Sequence, residues 1–213
     1  MVLDVRIAFT GGSMPVPLAV ALLAVPAYLL GTFPSAALVA RAGGHDVLSE
    51  GSGNPGASNV ARLMGWRAGL LVMAADFAKG AIAAGVGLAV GGRPGAYVLG
   101  IAAVVGHMLP VTRRFQGGKG VATGGGMLVV LFPWIVVGLA VIWFLVARVL
   151  KLASVASMLV VVLFPLATAL LGYAWWEVGI LTLLALLVLG RHLPNLRRLL
   201  QGRELRTDEP RAG

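Results

Sequence analysis

The chain contains no cysteine and little charge. The missing cysteine excludes disulfides, thiolate metal ligands and a thiol nucleophile, in all 213 residues. Charged side chains make up only 12%, against about a quarter of a soluble domain. Acidic residues are scarcest, 8 against 17 Lys and Arg, and there are three histidines. No HExxH or cysteine–histidine metal set is present. Aromatics are 7% and do not interleave with the basic residues. The excess of cations therefore does not read as a nucleic-acid platform.

What remains is apolar: 59% hydrophobic residues and a mean hydropathy of +0.93. Apolar stretches fall at 15–40, 68–90, 95–111, 121–150, 153–172 and 175–190. Each is of the order of the roughly 20 residues that carry a helix across a bilayer, and none alternates as barrel strands do. The reading is an all-α, polytopic membrane protein forming a single domain over 1–213. The first stretch lacks a cationic flank and is long, so it reads as a span and not as a cleaved signal peptide. A Gly-Gly-Arg-Pro turn at 91–94 separates the second stretch from the third. No internal repeat is visible.

Charge sets the topology. If 121–150 is one helix, Arg148, Lys151 and the arginine-rich tail lie on the side opposite Lys119, against the positive-inside tendency. If the chain reverses near Phe132, Pro133 and Trp134, 14 of the 17 Lys and Arg fall on one side. Proline breaks helices and tryptophan favours the interface. The expectation is seven transmembrane helices, two of them short, with the N-terminus outside. A basic cytoplasmic tail starts at about 191.

Four polar clusters interrupt this greasy background. Residues 50–62 carry Gly51, Gly53 and Gly56, whose N–H groups can turn inward as an anion nest, with Ser52, Asn54, Ser58, Asn59 and Arg62 nearby. The same signals describe an ordinary turn. Asp76 and Lys79 form an i,i+3 pair inside a span, where charge is costly; they are either functional or a self-neutralising structural pair. His107, Arg113 and Arg114 precede Gly117, Gly118, Lys119 and Gly120, just before an apolar run. Backbone N–H groups, a helix N-terminus and a lysine together favour an anion. The P-loop pattern itself is not met. The two arginines could be topology anchors and His107 a structural histidine. Fourth, His192 and Asn195 lie three apart at the end of the last span, with Pro194 between them making regular helix uncertain. No Gly-x-Ser-x-Gly elbow is present. His45 and Glu50 superficially echo the His-x4-Asp of soluble acyltransferases, a spacing we read as chance. Several anion-binding elements on one face suit an enzyme joining two phosphate-bearing substrates, or an anion transporter.

These stretches together resemble the bacterial acyl-phosphate:glycerol-3-phosphate acyltransferase family, known as PlsY. The matching blocks are Gly51-Ser-Gly-Asn-Pro-Gly-Ala-Ser-Asn-Val60 with Arg62, and Asp76-Phe-Ala-Lys-Gly80. They continue with Gly106-His-Met-Leu-Pro-Val111, Phe115-Gln-Gly-Gly-Lys-Gly-Val-Ala-Thr123 and Arg191-His-Leu-Pro-Asn195. Ser58 stands where threonine is expected, and Leu193 and Pro194 replace more polar residues. The resemblance implies a seven-helix bacterial inner-membrane protein with its active site facing the cytoplasm. It implies acyl transfer from a fatty acyl phosphate to the 1-hydroxyl of glycerol 3-phosphate, giving lysophosphatidic acid and phosphate, with no metal, cofactor or CoA. Lys119, Ser52, Asn54 and His192 are then the expected catalytic residues. Gly51, Gly53, Ser58, Asn59, Arg62, Asp76, Lys79, His107, Gly117, Gly118, Gly120 and Asn195 are expected to bind substrate. The proton of the attacking hydroxyl goes either to His192 or to the acyl phosphate itself. The rival reading, a transporter of phosphate or organic phosphate, needs a polar path across the membrane, and here the outer half is nearly uncharged.

Overall fold

The computed structural model describes residues 6–9 and 12–207. The chain opens with a two-stranded antiparallel hairpin, β1 (Arg6–Phe9) against β2 (Gly12–Pro15), pairing Arg6 with Pro15 and Phe9 with Gly12. The all-α expectation contains no strand here. The rest is helical: α1 (Val16–Gly31), α2 (Ser35–Ala42), α3 (Ala57–Met64), α4 (Trp66–Met108), a 3-10 turn (Val111–Arg113), α5 (Val121–Leu131), α6 (Pro133–Leu150), α7 (Ala153–Leu170), α8 (Trp175–Arg191) and α9 (Leu193–Leu200).

Among the described residues, four stretches are long and apolar enough to cross a membrane: Val16–Ala42, Trp66–Arg113, Pro133–Leu150 and Ala153–Leu170. A fifth is the pair α8 and α9, bent by 55°, if counted as one span. The long α4 is not straight. Gly91 and Gly92 leave helical geometry, and Gly92 has φ +60, which glycine adopts without strain. A Cβ on Gly87 would run into the Gly95 carbonyl oxygen, and one on Gly95 into that of Gly87. Eight residues apart on a straight helix, these backbones would lie about 12 Å from each other. The chain therefore folds back on itself at the turn expected there.

Helix also breaks where the sequence puts a reversal. α5 ends at Leu131, Phe132 adopts φ −143 and ψ 59, and Pro133 starts α6 at the position where its missing N–H costs nothing. With 11 residues, α5 rises only about 16 Å, half the apolar thickness of a bilayer.

The chain divides into two compact units. The first takes residues up to Pro34 and 74–131. Its core joins Val20 and Ala27 of α1 to Ala83, Leu99 and Ala103 of α4. In it α5 lies backbone-close on α4: a Cβ on Gly80 would strike the Thr123 carbonyl, and one on Gly126 that of Phe77. The second unit takes Ser35–Met73 and the chain from Phe132 onward. One core there packs Ala36 and Ala40 of α2 with Val47, Val60 and Val72. Elsewhere in it Trp143 Nε1 donates to Ser157 Oγ (3.0 Å), tying α6 to α7. Phe132 meets Phe164 and Tyr173 edge-on, with ring centroids 5.6 and 4.9 Å away. Each unit is built from two separated stretches of chain.

Candidate active site

In the first unit, helical spacing brings Asp76 and Lys79 onto one face of α4. Lys79 Nζ lies 2.6 Å from Asp76 Oδ1 and donates to the Phe33 carbonyl at 2.9 Å. His107 Nδ1 stands 3.6 Å from the same Asp76 oxygen. All three side chains are buried. A buried cation is tolerable only when paired and hydrogen-bonded, and Lys79 meets both conditions while satisfying a carbonyl just beyond the end of α1.

This cluster seats the glycine-rich loop. Gly118 N donates to the His107 carbonyl at 3.1 Å. A Cβ on Gly117 would enter the His107 and Met108 carbonyl oxygens, and one on Gly118 would enter the His107 ring at Nε2. The loop lies so flat on His107 that only glycine fits there. At its start, Tyr28 Oη donates to the Leu109 carbonyl (2.7 Å) and accepts from Val111 N (3.0 Å). Gly120, at φ +86, turns the chain into α5. Lys119 is thereby held, half-buried, at the N-terminus of α5 beside its first amides, the arrangement that favours an anion. Thr123 Oγ1, on the first turn of α5, is buried and has no hydrogen-bond partner among the described residues.

In the second unit, the 45–59 loop is built around Asn59. Its Nδ2 donates to the carbonyls of Val47 (3.1 Å) and Glu50 (3.0 Å), and its Oδ1 accepts from Ser52 N at 2.8 Å. Both amide hydrogens are engaged inside the loop, so Asn59 shapes it. Gly51 (φ +61) and Gly53 (φ +67) make the turns, and a Cβ on Gly51 would collide with Asn59 Oδ1. Ser52 Oγ accepts from Asn54 N at 3.4 Å. Ser52 and Asn54 are part-exposed, Ser58 is exposed, and Arg62 is half-buried in the last turn of α3.

His45 and Glu50, whose spacing only echoes the soluble-acyltransferase motif, are in contact. His45 Nδ1 lies 2.7 Å from Glu50 Oε2, and Glu50 Oε1 accepts from Asp46 N at 2.7 Å. The pair braces the loop. The Asp46 amide first, and then His45, hold the Glu50 carboxyl below its ordinary range. The Leu48 amide and then Ser49 do the same for Asp46.

At the end of α8, Pro194 does not prevent helix. It stands in the first turn of α9, leaving His192 at the junction. His192 Nδ1 is 2.8 Å from the Val188 carbonyl. A carbonyl only accepts, so Nδ1 carries the hydrogen, and in the neutral ring Nε2 is the acceptor nitrogen. Asn195 is buried beside it, and its Nδ2 donates to Glu204 Oε1 at 2.6 Å. Sequence reasoning missed Glu204. It lies in a tail whose basic composition gave no sign that one acidic residue folds back onto α9.

Within the first unit, then, Asp76, Lys79, His107, Gly117, Gly118, Lys119 and Gly120 come together. The second unit brings Gly51, Ser52, Gly53, Asn54 and Asn59 into one loop, with Ser58 and Arg62 on the helix that follows. His192 and Asn195 share the α8–α9 junction. Among the described residues no group of three or more His, Asp or Glu side chains is positioned to hold a metal ion.

Residues 21–202 match the family model described as glycerol-3-phosphate acyltransferase. A glycerol-3-phosphate acyltransferase of Ralstonia pickettii is 38% identical over 197 residues, covering 90% of this chain and 95% of its own. One from Pseudomonas aeruginosa is 42% identical over 189 residues, covering 86% and 97%. Among solved structures, the chain is similar to PlsY, an integral membrane glycerol 3-phosphate acyltransferase. The match to the glycerol 3-phosphate form has a TM-score of 0.84 at 34% identity, covering 88% of this chain and 95% of that one. The lysophosphatidic acid form matches at 0.81.

Proposed function

Because the chain belongs to the glycerol-3-phosphate acyltransferase family, we propose that it acylates the 1-hydroxyl of sn-glycerol 3-phosphate, with a fatty acyl phosphate as donor. The products are 1-acyl-glycerol 3-phosphate (lysophosphatidic acid) and inorganic phosphate, the first acylation of phospholipid synthesis. The protein works in the bacterial inner membrane as seven spans, with its active site facing the cytoplasm. The seven spans are α1 with α2, the two halves of α4, α5, α6, α7 and α8. The observation that carries this reading is Lys119, held between glycines at the mouth of α5.

An acyl phosphate is already activated, so no side-chain nucleophile is required. The enzyme has to align a hydroxyl with the acyl carbonyl and stabilise the oxyanion that forms. Lys119 and the amides of Gly117, Gly118 and Gly120 bind phosphate, over a base formed by His107, Asp76 and Lys79. Arg62, with its planar fork of donors, binds the phosphate of glycerol 3-phosphate, and His192 and Asn195 bind its hydroxyls. The Gly51 and Gly53 backbone with Ser52 and Asn54 serves the acyl phosphate and its oxyanion; Ser58 lies at the margin of that set. The 1-hydroxyl oxygen bonds to the acyl carbon and the carbon–oxygen bond to phosphate breaks. The departing phosphate takes the hydroxyl proton, while His192 orients the hydroxyl through Nε2. The acyl chain lies among the helices in lipid.

The test is purified protein with acyl phosphate and labelled glycerol 3-phosphate, run beside acyl-CoA as an alternative donor. Lysophosphatidic acid is expected from acyl phosphate alone. Lys119→Ala should cut turnover roughly 100- to 1000-fold, the usual cost of losing a donor to a developing charge, with insertion unchanged. No lipid product from the unaltered protein would favour transport instead, and normal turnover in the variant would remove Lys119 from the chemistry.

A further inference from the structure

Beyond α9 the chain does not trail away. Gly202 turns it at φ +66, Arg203 N donates to the Arg198 carbonyl, and Thr207 N donates to the Lys151 carbonyl, both at 2.8 Å. This return carries Glu204 into a buried position, with its side chain 5% exposed. One carboxylate oxygen accepts from Ser154 Oγ (2.8 Å) and from Asn195 Nδ2 (2.6 Å); the other accepts from Arg198 Nε at 2.9 Å. Two helices, α7 and α9, meet at this one acidic residue, and Thr207, three residues on, ties the returning tail to the end of α6.

The chemistry of the contact has a direction. An ionised carboxylate paired with arginine offers acceptors only, so Asn195 must turn its NH2 toward Glu204. Its Oδ1 is then fixed on the opposite side. That oxygen is buried and has no hydrogen-bond partner among the described residues. Leaving a buried acceptor unmade is costly, and a donor brought by the substrate relieves the cost.

We infer that Glu204 is a positioning residue for substrate recognition: it locks Asn195 in the orientation whose Oδ1 accepts from the C2 hydroxyl of glycerol 3-phosphate. The C2 hydroxyl is singled out by acidity. An amide oxygen is too weak a base to take a proton, so it suits the hydroxyl that keeps its hydrogen, not the C1 hydroxyl that loses it. The inference rests on the reading that Asn195 binds glycerol 3-phosphate.

The experiment uses the full-length protein in detergent and compares glycerol 3-phosphate with 3-hydroxypropyl phosphate, which lacks the C2 hydroxyl. Glu204→Gln lets the side-chain amide present donors to Asn195 and releases its orientation. The KM for glycerol 3-phosphate should rise about tenfold, the order of one hydrogen bond to substrate, while the KM for acyl phosphate stays within about twofold. The preference for glycerol 3-phosphate over the deoxy analogue should shrink toward unity. Glu204→Asp, which keeps the carboxylate, should recover part of that preference. Asn195→Ala is the control for the underlying reading and should show the same split. If Asn195→Ala leaves both the KM and the preference untouched, the assignment of Asn195 to substrate is wrong. If Asn195→Ala behaves as expected but Glu204→Gln retains the full preference, the positioning role alone is overturned. A Glu204→Gln protein in which both KM values rise together and the preference persists makes Glu204 a plain structural tie.

Discussion

Asn59 and His192 show how far a single residue type can be read. Both are polar residues in family blocks; the resemblance implies substrate binding for Asn59 and a catalytic part for His192. The structure shows what each side chain bonds to. Asn59 has used its two amide hydrogens and its oxygen to fold residues 47–52 around itself. The Cβ-free Gly51 leaves room for it. Such bonds are long-range across the loop, so no local spacing announces them. His192 Nδ1 is 2.8 Å from the Val188 carbonyl of its own helix. That fixes the tautomer, and the proposed chemistry offers Nε2 two roles: orienting the hydroxyl or removing its proton. His192→Ala distinguishes them. As an orienting group its loss should raise the KM for glycerol 3-phosphate several-fold and leave turnover within about an order of magnitude. The acid limb of the pH–rate profile should also survive. If histidine is the base, turnover falls by the 100- to 10,000-fold typical of general-base removal, and that limb disappears.

At the scale of elements, the short α5 was legible because proline and tryptophan mark its end, and because the positive charge sorts properly only if the chain turns there. Its packing was not legible. Three glycines stand in a row at 124–126, and the sequence does not tell which of them meets backbone. A Cβ at Gly126 would strike the Phe77 carbonyl, whereas one at Gly124 meets nothing within 4 Å. Gly126→Ala should therefore push α5 off α4 and destabilise by about 1–3 kcal/mol, as overpacking does. Gly124→Ala should be neutral or stabilising by up to about 1 kcal/mol, from helix propensity alone. Thermal unfolding in detergent compares the two. The 45–50 loop makes an opposite use of local chemistry. Its Glu50 carboxyl is held low by the Asp46 amide and then by His45, so the brace is fully present above the ordinary glutamate range. It is lost as pH falls through the lower, folded-state value. Amide exchange at Asp46, followed from neutral to acid pH, should stay slow until below the ordinary range and then quicken. Quickening already near neutrality would mean that histidine titration, not the carboxyl, controls the brace. The β1–β2 hairpin escaped the sequence reading because four-residue strands outside the apolar runs carry no periodic signal of their own.

For the whole molecule, hydropathy and charge gave the class and order of the helices, since lipid demands long apolar runs and cations choose a side. They did not reveal that the chain partitions into two interleaved units. Nothing in composition marks Pro34, Met73 or Leu131 as places where packing changes partner. Orientation is the remaining global property, and the missing cysteine makes it open to a clean measurement. Every introduced thiol is unique in a chain that has none. In the proposed topology, N-terminus outside and seven spans, the turn at 91–94 would face outward, and the 45–59 loop and the returning tail would face the cytoplasm. In intact inner-membrane spheroplasts, a membrane-impermeant maleimide should label Arg93→Cys at once. It should reach Ser49→Cys and Thr207→Cys only after permeabilisation. A six-span arrangement, with 121–150 crossing once, would instead put Thr207 on the same side as Arg93, so both would react without permeabilisation while Ser49→Cys stayed protected. Six spans would also carry Glu204, and with it Asn195, to the side away from the cytoplasm, where a soluble cytoplasmic pool of glycerol 3-phosphate does not reach. The labelling of Thr207→Cys therefore tests the topology and the proposed chemistry together.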